Sequence, residues 1–414
     1  MLLTVRDPLR AALAMLELDG VAARMVLCPA DLAPQHLPSV ARNAAADACV
    51  GDAGDAAAAL DGVGVRAEVD PRLTAAPEPR SRSHETEWVL LTSGTTGAPK
   101  LVRHSLETLT NALTGVRPDT EPVVWGTFYD IRRYGGLQIF LRAVYLGSLV
   151  PADPGEPVPA FLARARAAGL THISGTPSHW RKVLMSGAAA TIAPRYVRLS
   201  GEIADQGVLD ALRAAYPQAI VAHAFASTEA GVAFEVRDGL AGFPASLIDA
   251  PGAKVHLSVS GGTLHVRSGG GAHGYLGADA ASFARGSDGA IDTGDFVAER
   301  AGRYHFLGRQ GGIINVGGLK VYPEEIEAVI NSHPWVRMSL VRAKRNPITG
   351  AVVIAEVVLA DEAPGATRPA PEELSRDLMR SCRQSLAAYK VPATIRIVPG
   401  LEVSASGKLV RPNA

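Results

Sequence analysis

The stretch from Leu91 to Lys100 combines residue types that bind phosphate. It reads Leu-Thr-Ser-Gly-Thr-Thr-Gly-Ala-Pro-Lys and follows an apolar run, Trp88 to Leu91, that predicts a strand. Glycines let the backbone approach an anion closely, clustered N–H groups and hydroxyls can cradle phosphate oxygens, and a lysine adds positive charge. The string differs from the Walker A pattern, G-x-x-x-x-G-K-[ST], because Leu101 follows the lysine. The sequence therefore predicts a phosphate loop, with a surface loop rich in hydroxyl residues as the alternative.

Five further strings occur in order along the chain. Each has an ordinary structural alternative, such as a helix cap, a strand with a turn, or a solvated lysine. Their order behind a phosphate loop favours a nucleotide site instead. The strings are Val-Arg-Leu-Ser-Gly-Glu-Ile at 197–203, Phe-Ala-Ser-Thr-Glu at 225–229, Asp-Thr-Gly-Asp at 292–295, Gly-Arg-Gln-Gly-Gly at 308–312 and Ser-Ala-Ser-Gly-Lys at 404–408.

These strings closely resemble the motifs of the adenylate-forming (AMP-binding) superfamily of acyl-CoA synthetases, peptide-synthetase adenylation domains and luciferases. The resemblance covers residues 85–414 and implies that a carboxylic acid reacts with ATP to give an acyl-adenylate and pyrophosphate. A thiol, most simply that of CoA, would then take the acyl group, so the implied cofactors are ATP, Mg²⁺ and CoA. Two alternatives stay open: an enzyme that loads a phosphopantetheinyl acyl carrier protein, and a nucleotide-binding protein without catalytic activity.

The resemblance assigns the nucleotide site residue by residue. Glu229 would hold magnesium beside the hydroxyl of Thr228, since Mg²⁺ prefers carboxylate and phosphate oxygens and offsets charge on the attacked phosphate. Asp295 would accept hydrogen bonds from the ribose hydroxyls, and Arg309 would also contact the ribose. Ala226 departs from the family's usual glycine. The other predicted positions are Thr92, Ser93, Gly94, Thr95, Thr96, Gly97 and Lys100 at the phosphates, and Phe225 and the backbone of Gly201 and Glu202 at adenine.

Lys408 closely matches the family's catalytic lysine, and the resemblance makes it catalytic together with Thr228 and Glu229. A cation there can bridge the attacking carboxylate and the α-phosphate while charge redistributes. The resemblance also implies that Lys408 lies on a C-terminal domain that rotates after adenylation. Gly317 and Gly318 would then line a tunnel for the thiol.

The stretch from Phe128 to Gln138 lies where the family places residues beside the acid. Asp130 is a candidate for recognising an amino or hydroxy group of the substrate. The alternative is stronger: an aspartate that pairs with Arg132 or Arg133, or that caps the following helix. The predicted substrate-binding residues are Tyr129, Asp130, Tyr134 and His223.

The elements that must position these residues alternate between strand-like and helix-like runs from residue 88 to 308. Such alternation predicts α/β units around largely parallel sheets, and glycine-rich turns at 260–277 predict a β-rich subdomain. We expect residues 1–308 to form a large N-terminal AMP-binding domain, shortened at its front relative to the family. The predicted strands include 122–125, 146–150, 172–174 and 220–225, and the predicted helices include 137–145, 160–168 and 207–215.

After Arg309 the pattern changes to a small α+β domain, residues 309–414, which the resemblance implies is mobile. Pro323 begins a helix that runs to Ile330, with acidic residues near the positive end of its dipole. A strand is predicted at Val352–Leu359 and an amphipathic helix at Glu372–Ala388.

Composition limits the class of protein further. With 414 residues and 47% hydrophobic content, the chain can bury a sizeable core and fits two domains. The 41 basic and 41 acidic side chains balance, which argues against a nucleic-acid partner or an anionic membrane surface. Three widely spaced cysteines indicate neither disulfides nor a zinc site, and the first residues fit neither a signal peptide nor a membrane span. We expect a cytoplasmic enzyme that acts on a small carboxylic acid, and the shortened front leaves a homodimer open.

Overall fold

The computed structural model describes residues 1–52, 60, 62–70, 81–92, 99–116, 121–346, 350–360, 369–404 and 407–411. These residues form an α/β fold. Its large N-terminal part contains three sheets, and its smaller C-terminal part has a hydrophobic core of its own. The predicted fold class is therefore confirmed. Among the described residues, no helix is both long enough and apolar enough to cross a membrane.

The first sheet carries the strand that leads into the predicted phosphate loop. Its strands are β1 (Leu2–Leu3), β2 (Arg24–Leu27), β3 (Ala48–Gly51), β4 (Val65–Glu68), β5 (Glu87–Thr92), β6 (Lys100–His104) and β16 (Gly274–Tyr275), accompanied by helices α1 (Pro8–Leu18), α2 (Leu37–Ala44) and α3 (Leu106–Thr110). The spatial order is β16-β6-β5-β2-β1-β3-β4, parallel from β5 to β4 and antiparallel at β6 and β16. Alternation along the strands gives the sheet two apolar faces: Val89 packs with α2, and Leu90 packs with α1.

The second sheet is parallel except for its last strand. Its strands are β7 (Val123–Thr127), β8 (Gly147–Pro151), β9 (His172–Gly175), β10 (Tyr196–Ser200), β11 (Ile220–Ser227) and β12 (Gly231–Val236), with helices α4 (Tyr134–Leu146), α5 (Val158–Ala167), α6 (Pro177–Met185) and α7 (Gln206–Ala215). The order is β12-β11-β10-β9-β7-β8. Val197 and Leu199 pack with α5, α6 and α7, whereas Tyr196 lies on the opposite face.

Helix α4 is buried on two faces because it lies between the first and second sheets. Leu137 and Phe140 belong to the core of the first sheet, and Ile139 and Ala143 belong to the cluster under the second sheet. The helical period separates these two sets around the helix axis. Packing on both faces fixes the helix start, where Tyr134 lies.

The third sheet is the predicted β-rich subdomain. It is antiparallel, in the order β13-β18-β17-β15-β14. Aromatic rings fill its core: Phe234, Phe243 and Phe306 lie with ring centroids 4.5–6.4 Å apart. The strands are β13 (Phe243–Pro244), β14 (His256–Ser260), β15 (Thr263–Arg267), β17 (Ile291–Arg300) and β18 (Arg303–Arg309).

The C-terminal part consists of β19 (Ile314–Val316), β20 (Leu319–Val321), α8 (Pro323–Asn331), β21 (Val336–Asn346), β22 (Gly350–Leu359), α9 (Pro371–Ser385) and β23 (Thr394–Ile397). Its core joins α8 and α9 to the sheet β21-β22-β23. Helix α8 begins at the predicted Pro323. Helix α9 ends at Ser385, three residues before the predicted end, because Leu386 takes an extended conformation and packs against this core.

Candidate active site

An open cavity of about 1380 Å³ lies where β5, β10 and β11 end, against the third sheet and the C-terminal part. Gly317 and Gly318 do not line it and lie in the turn between β19 and β20. Ser93, Gly94, Thr95, Thr96 and Gly97 fall outside the described residues. All other predicted site residues line the cavity: Thr92, Lys100, Tyr129, Asp130, Tyr134, Gly201, Glu202, His223, Phe225, Ala226, Thr228, Glu229, Asp295, Arg309 and Lys408.

Tyr275 links the two charged residues on the phosphate side of the cavity. Its hydroxyl donates to Glu229 Oε1 at 3.1 Å, and its ring centroid lies 4.7 Å from Lys100 Nζ. Burial, followed by the neighbouring Glu229 carboxylate, raises the pKa of Tyr275, so the hydroxyl remains a donor. A carboxylate at the cavity wall fits Mg²⁺, which commonly binds one or two carboxylates, water and phosphate oxygens. Sequence reasoning missed Tyr275, which stands alone among small residues.

His104 supports the Thr228-Glu229 turn from behind. Its Nε2 lies 2.8 Å from the Thr228 carbonyl oxygen, and its Nδ1 lies 3.0 Å from Thr108 Oγ1. Burial lowers the pKa of His104 to about 4, so the ring is neutral at pH 7. A neutral ring that donates through Nε2 must accept at Nδ1. The bond to Thr108 thus orients the His104 ring, and the ring holds the Thr228 carbonyl next to the predicted magnesium ligand.

The predicted ribose side is formed by paired residues of a β-hairpin. Asp295 on β17 lies opposite Arg309 on β18, and Arg309 Nε is 3.1 Å from Asp295 Oδ1. Arg309 also donates to the Thr293 carbonyl oxygen at 3.2 Å. Burial raises the pKa of Asp295, and the Arg309 charge opposes that rise. The carboxylate is thus held at the cavity wall beside an exposed guanidinium.

The predicted adenine side of the cavity is aromatic. Phe225 stacks on Phe234 and Phe306, with ring centroids 5.7 and 5.0 Å away. Ala226 follows at an irregularity in strand register. Because Ala226 does not have a positive φ, alanine fits where the family usually has glycine. His223 Nε2 lies 3.0 Å from the Leu240 carbonyl oxygen, and burial lowers the pKa of His223.

On the acyl side, Asp130 is already bonded within the protein. Its Oδ1 accepts from Arg132 Nε at 2.6 Å and from the Arg132 backbone N–H at 2.9 Å, and its Oδ2 accepts from Ala30 N–H at 3.0 Å. Asp130 thus makes the ion pair that the sequence left open as the alternative, and its role in substrate binding stays a prediction, since Asp130 also lines the cavity. Tyr129 donates to the Ser200 carbonyl oxygen at 2.7 Å and forms part of the wall with Tyr134.

Lys408 enters the cavity from a turn that docks on the second sheet. Thr176 Oγ1 donates to the Gly407 carbonyl oxygen at 2.5 Å, and Leu409 N–H donates to Glu202 Oε1 at 3.0 Å. Gly407 has φ +74°, and a Cβ there would overlap the His179 ring. The Lys408 side chain is accessible because it faces the open cavity, although protein surrounds it on its other sides.

Two further contacts, which involve residues of the cavity rim, also hold the C-terminal part in this position. Arg181 Nη1 donates to the Arg337 carbonyl oxygen at 3.0 Å, and Arg300 Nη2 lies 3.0 Å from Glu325 Oε1. The predicted role of Lys408 makes this arrangement the one expected for adenylation, and we therefore call it the adenylation pose.

Comparison with known families identifies the chain. The model of a family described as "AMP-binding enzyme" matches residues 10–276, and that of its C-terminal domain matches residues 325–408. The chain belongs to the AMP-binding enzyme family. The predicted recognition is thereby confirmed, and the gap between the two matches contains the predicted domain boundary.

Relatives and solved structures agree with this assignment. The 2-succinylbenzoate–CoA ligase of Bacillus cytotoxicus is 27% identical over 346 residues, which cover 79% of this chain and 69% of that protein. The mouse mitochondrial acyl-coenzyme A synthetase ACSM5 is 34% identical over 129 residues, covering 30% of this chain and only 22% of the relative's length. The amide bond synthetase McbA from Marinactinospora thermotolerans shares the fold, with a TM-score of 0.79 at 22% identity over 99% of this chain and 87% of that one.

Asp295→Ala in this AMP-binding enzyme is expected to weaken AMP binding by about 1.5–3 kcal/mol, the range for hydrogen bonds to charged groups. The change removes the carboxylate that faces the predicted ribose. Isothermal titration calorimetry with AMP measures the loss. Asp210→Ala is the control, because Asp210 is exposed on α7 and bonds Gln206 of the same helix. Unchanged affinity in Asp295→Ala would remove the ribose assignment.

Asp130→Asn is expected to lower the free energy of unfolding by about 1.5–3 kcal/mol, because a charged partner of buried Arg132 is lost. Urea denaturation measures the change. Asp31→Asn is the matched control: its ion pair with Arg133 is partly exposed and should be worth at most about 1 kcal/mol. We expect the relative kcat/KM values for different acids to stay the same in Asp130→Asn. A shift in that ranking would instead support a direct role of Asp130 in substrate recognition.

Proposed function

We propose that this AMP-binding enzyme is an acid–thiol ligase that activates a small carboxylic acid with ATP and transfers the acyl group to CoA. The observation that carries the proposal is the convergence of Lys408, Glu229 and Asp295 on one cavity. These residues come from the C-terminal part, the second sheet and the third sheet. The acyl-CoA ligase names among the relatives add support.

In the proposed first step, a carboxylate oxygen of the acid attacks the α-phosphorus of ATP. The bond from the α-phosphorus to the bridging oxygen breaks, and pyrophosphate leaves with the electron pair. Lys408 stabilises the charge that spreads over carboxylate and phosphate, and Asp295 with Arg309 holds the ribose. Bound Mg²⁺ at Glu229 would offset phosphate charge.

In the proposed second step, the thiol sulfur attacks the acyl carbon, the carbon–oxygen bond to AMP breaks, and the thiol proton passes to solvent. We propose that residues 309–414 rotate between the steps as a domain, which removes Lys408 and brings the Gly317-Gly318 turn toward the acyl group. Both glycines have positive φ and open space around them, so the turn is free to meet another surface. The separate core of this part supports movement as one body.

The function is tested by measuring pyrophosphate release with a panel of carboxylic acids, each with and without CoA. Acid-dependent pyrophosphate release together with acyl-CoA formation would support the proposal. Arms that replace CoA with a phosphopantetheinyl carrier protein or a simple amine identify another acceptor. AMP binding without acid-dependent pyrophosphate release from any acid would indicate a nucleotide-binding protein and overturn the proposal.

A further inference from the structure

The Glu202 carboxylate joins two elements that are distant in sequence. Its Oε2 accepts from the Ser178 N–H at 2.9 Å, and its Oε1 accepts from the Leu409 N–H at 3.0 Å. Ser178 lies in the first turn of α6, whose N-terminal end favours a negative charge. Leu409 directly follows Lys408. One side chain of the N-terminal part therefore holds the backbone beside the predicted catalytic lysine.

Both carboxylate oxygens of Glu202 are bonded within the protein, so the predicted contact with adenine falls to the backbone of this turn. Gly201 has φ +88°, which turns the chain sharply before Glu202. A Cβ at Gly201 would lie 3.4 Å from Lys408 Cε, so the lysine stem passes close to this turn. The backbone of the turn at 201–202 thus lies next to Lys408. The Glu202 carboxylate bonds Leu409, the residue after Lys408.

The charges around Lys408 are mixed. Glu202 and Asp295 are the negative groups, Arg309 and Arg133 are the positive ones, and His179 on α6 lies under the turn. Enclosure by the cavity walls lowers the pKa of Lys408. Among the nearby charges Glu202 has the largest effect on this pKa, and it raises it. Burial lowers the pKa of His179 to about 3, so its ring adds no charge at pH 7.

Glu202 also faces two cations besides Lys408. Its charge acts on Lys182 of α6 and on Arg411, which makes its own ion pair with Glu327. Because Arg411 has that closer partner, loss of the Glu202 charge should affect Lys408 and Lys182 most.

We propose that Glu202 is a positioning residue that seats the Lys408 turn on the start of α6 and places a negative charge near the lysine in the adenylation pose. This inference deepens the proposed function and rests on it. The contact joins the N-terminal part to the C-terminal part, so rotation of the C-terminal part breaks it. Glu202 therefore serves adenylation and is idle during thioester formation.

The test uses Glu202→Gln, which keeps the shape and removes the charge, with Glu299→Gln at an exposed position of β17 as the matched control. Single-turnover assays measure acyl-adenylate formation and, separately, conversion of supplied acyl-adenylate to thioester. We expect adenylation to slow by about 10- to 100-fold, the effect of weakening a charge-assisted hydrogen bond. The rate of thioester formation should stay within about twofold of the wild-type rate. The Glu202 contact is absent from the pose used in that step, so its loss does not change the barrier to thioester formation.

Two pH readouts separate positioning from a purely structural role. Adenylation should fall as pH rises through the pKa of Lys408, and loss of Glu202 should move this alkaline limb to lower pH, because the Glu202 charge raises that pKa. The pH dependence of Lys408 acetylation, followed by peptide mass spectrometry without substrates, should move in the same direction. Glu202→Asp should largely retain the wild-type acetylation profile, because the charge remains. Adenylation should slow in this variant, because the shorter side chain cannot reach the N–H groups of both Ser178 and Leu409.

The outcomes are distinct. Unchanged acetylation and adenylation in a folded Glu202→Gln protein would overturn the inference, as would equal slowing of both half-reactions. If the wild-type protein forms no acyl-adenylate from any acid, the proposed function fails. The acetylation assay still decides in that case whether Glu202 controls Lys408.

Discussion

Lys408→Ala is expected to slow acyl-adenylate formation by about 10²–10³-fold, the usual effect of losing one preorganised charge at a transition state. Substrate affinity should change less than kcat, because the lysine acts on charge that develops during the reaction. Supplied acyl-adenylate should still be converted to thioester at nearly the normal rate. Single-turnover measurements of the two half-reactions check both statements.

Lys344→Ala is the control for this experiment, since Lys344 is exposed on β21 of the same C-terminal part. It should leave both half-reactions unchanged. Equal slowing of the two halves in Lys408→Ala would contradict the use of two poses by this enzyme.

Gly407→Ala is expected to weaken the adenylation pose by about 1–3 kcal/mol, the cost of over-packing where the turn docks, and to add left-handed backbone strain to the protein as a whole. The overlap falls on His179, whose ring has little freedom because it stacks on Phe128 at a centroid distance of 5.1 Å. Acyl-adenylate formation should therefore slow by about 5-fold or more. The backbone strain at position 407 is present in either pose, whereas the overlap with His179 exists only when the turn is docked. Thioester formation should therefore slow less than adenylation.

Gly350→Ala separates these two contributions. Gly350 has the same φ, +74°, and an added Cβ would meet nothing within 4 Å. This variant should lose stability through strain, measurable by thermal unfolding, and should keep its adenylation rate. If Gly407→Ala behaved like Gly350→Ala in the adenylation assay, the docking of this turn would not limit the reaction.

Local patterns in the sequence were sufficient to predict most of the helices and strands near the site. The apolar run at 220–225 became β11, Ile220–Ser227, and the amphipathic pattern at 207–215 became α7, Gln206–Ala215. These predictions were correct because a helix buried on one face, or a buried strand, requires apolar residues in a regular pattern that can be read from the sequence. The end of α9 was placed too late, since alanines at 387 and 388 suit a helix but Leu386 leaves it to pack on the core.

The site was predictable as a set of residues and less so as a set of contacts. Motif resemblance selected Lys408 and Glu202, and both line the cavity. The hydrogen bond from Thr176 to the Gly407 carbonyl joins residues 231 positions apart, and no local pattern carries such information. The partner of Asp130 was nearer, two residues away, and for that reason the sequence could offer the ion pair as an alternative.

The position of α4 between two sheets bears on how this enzyme can evolve new selectivity. Tyr134, at its start, belongs both to the cavity wall and to the buried core of the first sheet. A mutation that reshapes the pocket from this helix must also be compatible with both sheets, so most such mutations are lost to misfolding before selection acts on their activity. Ser200, the last residue of β10, lines the same cavity. Lineages that exchange one acid for another should therefore differ first at strand ends and retain the helix.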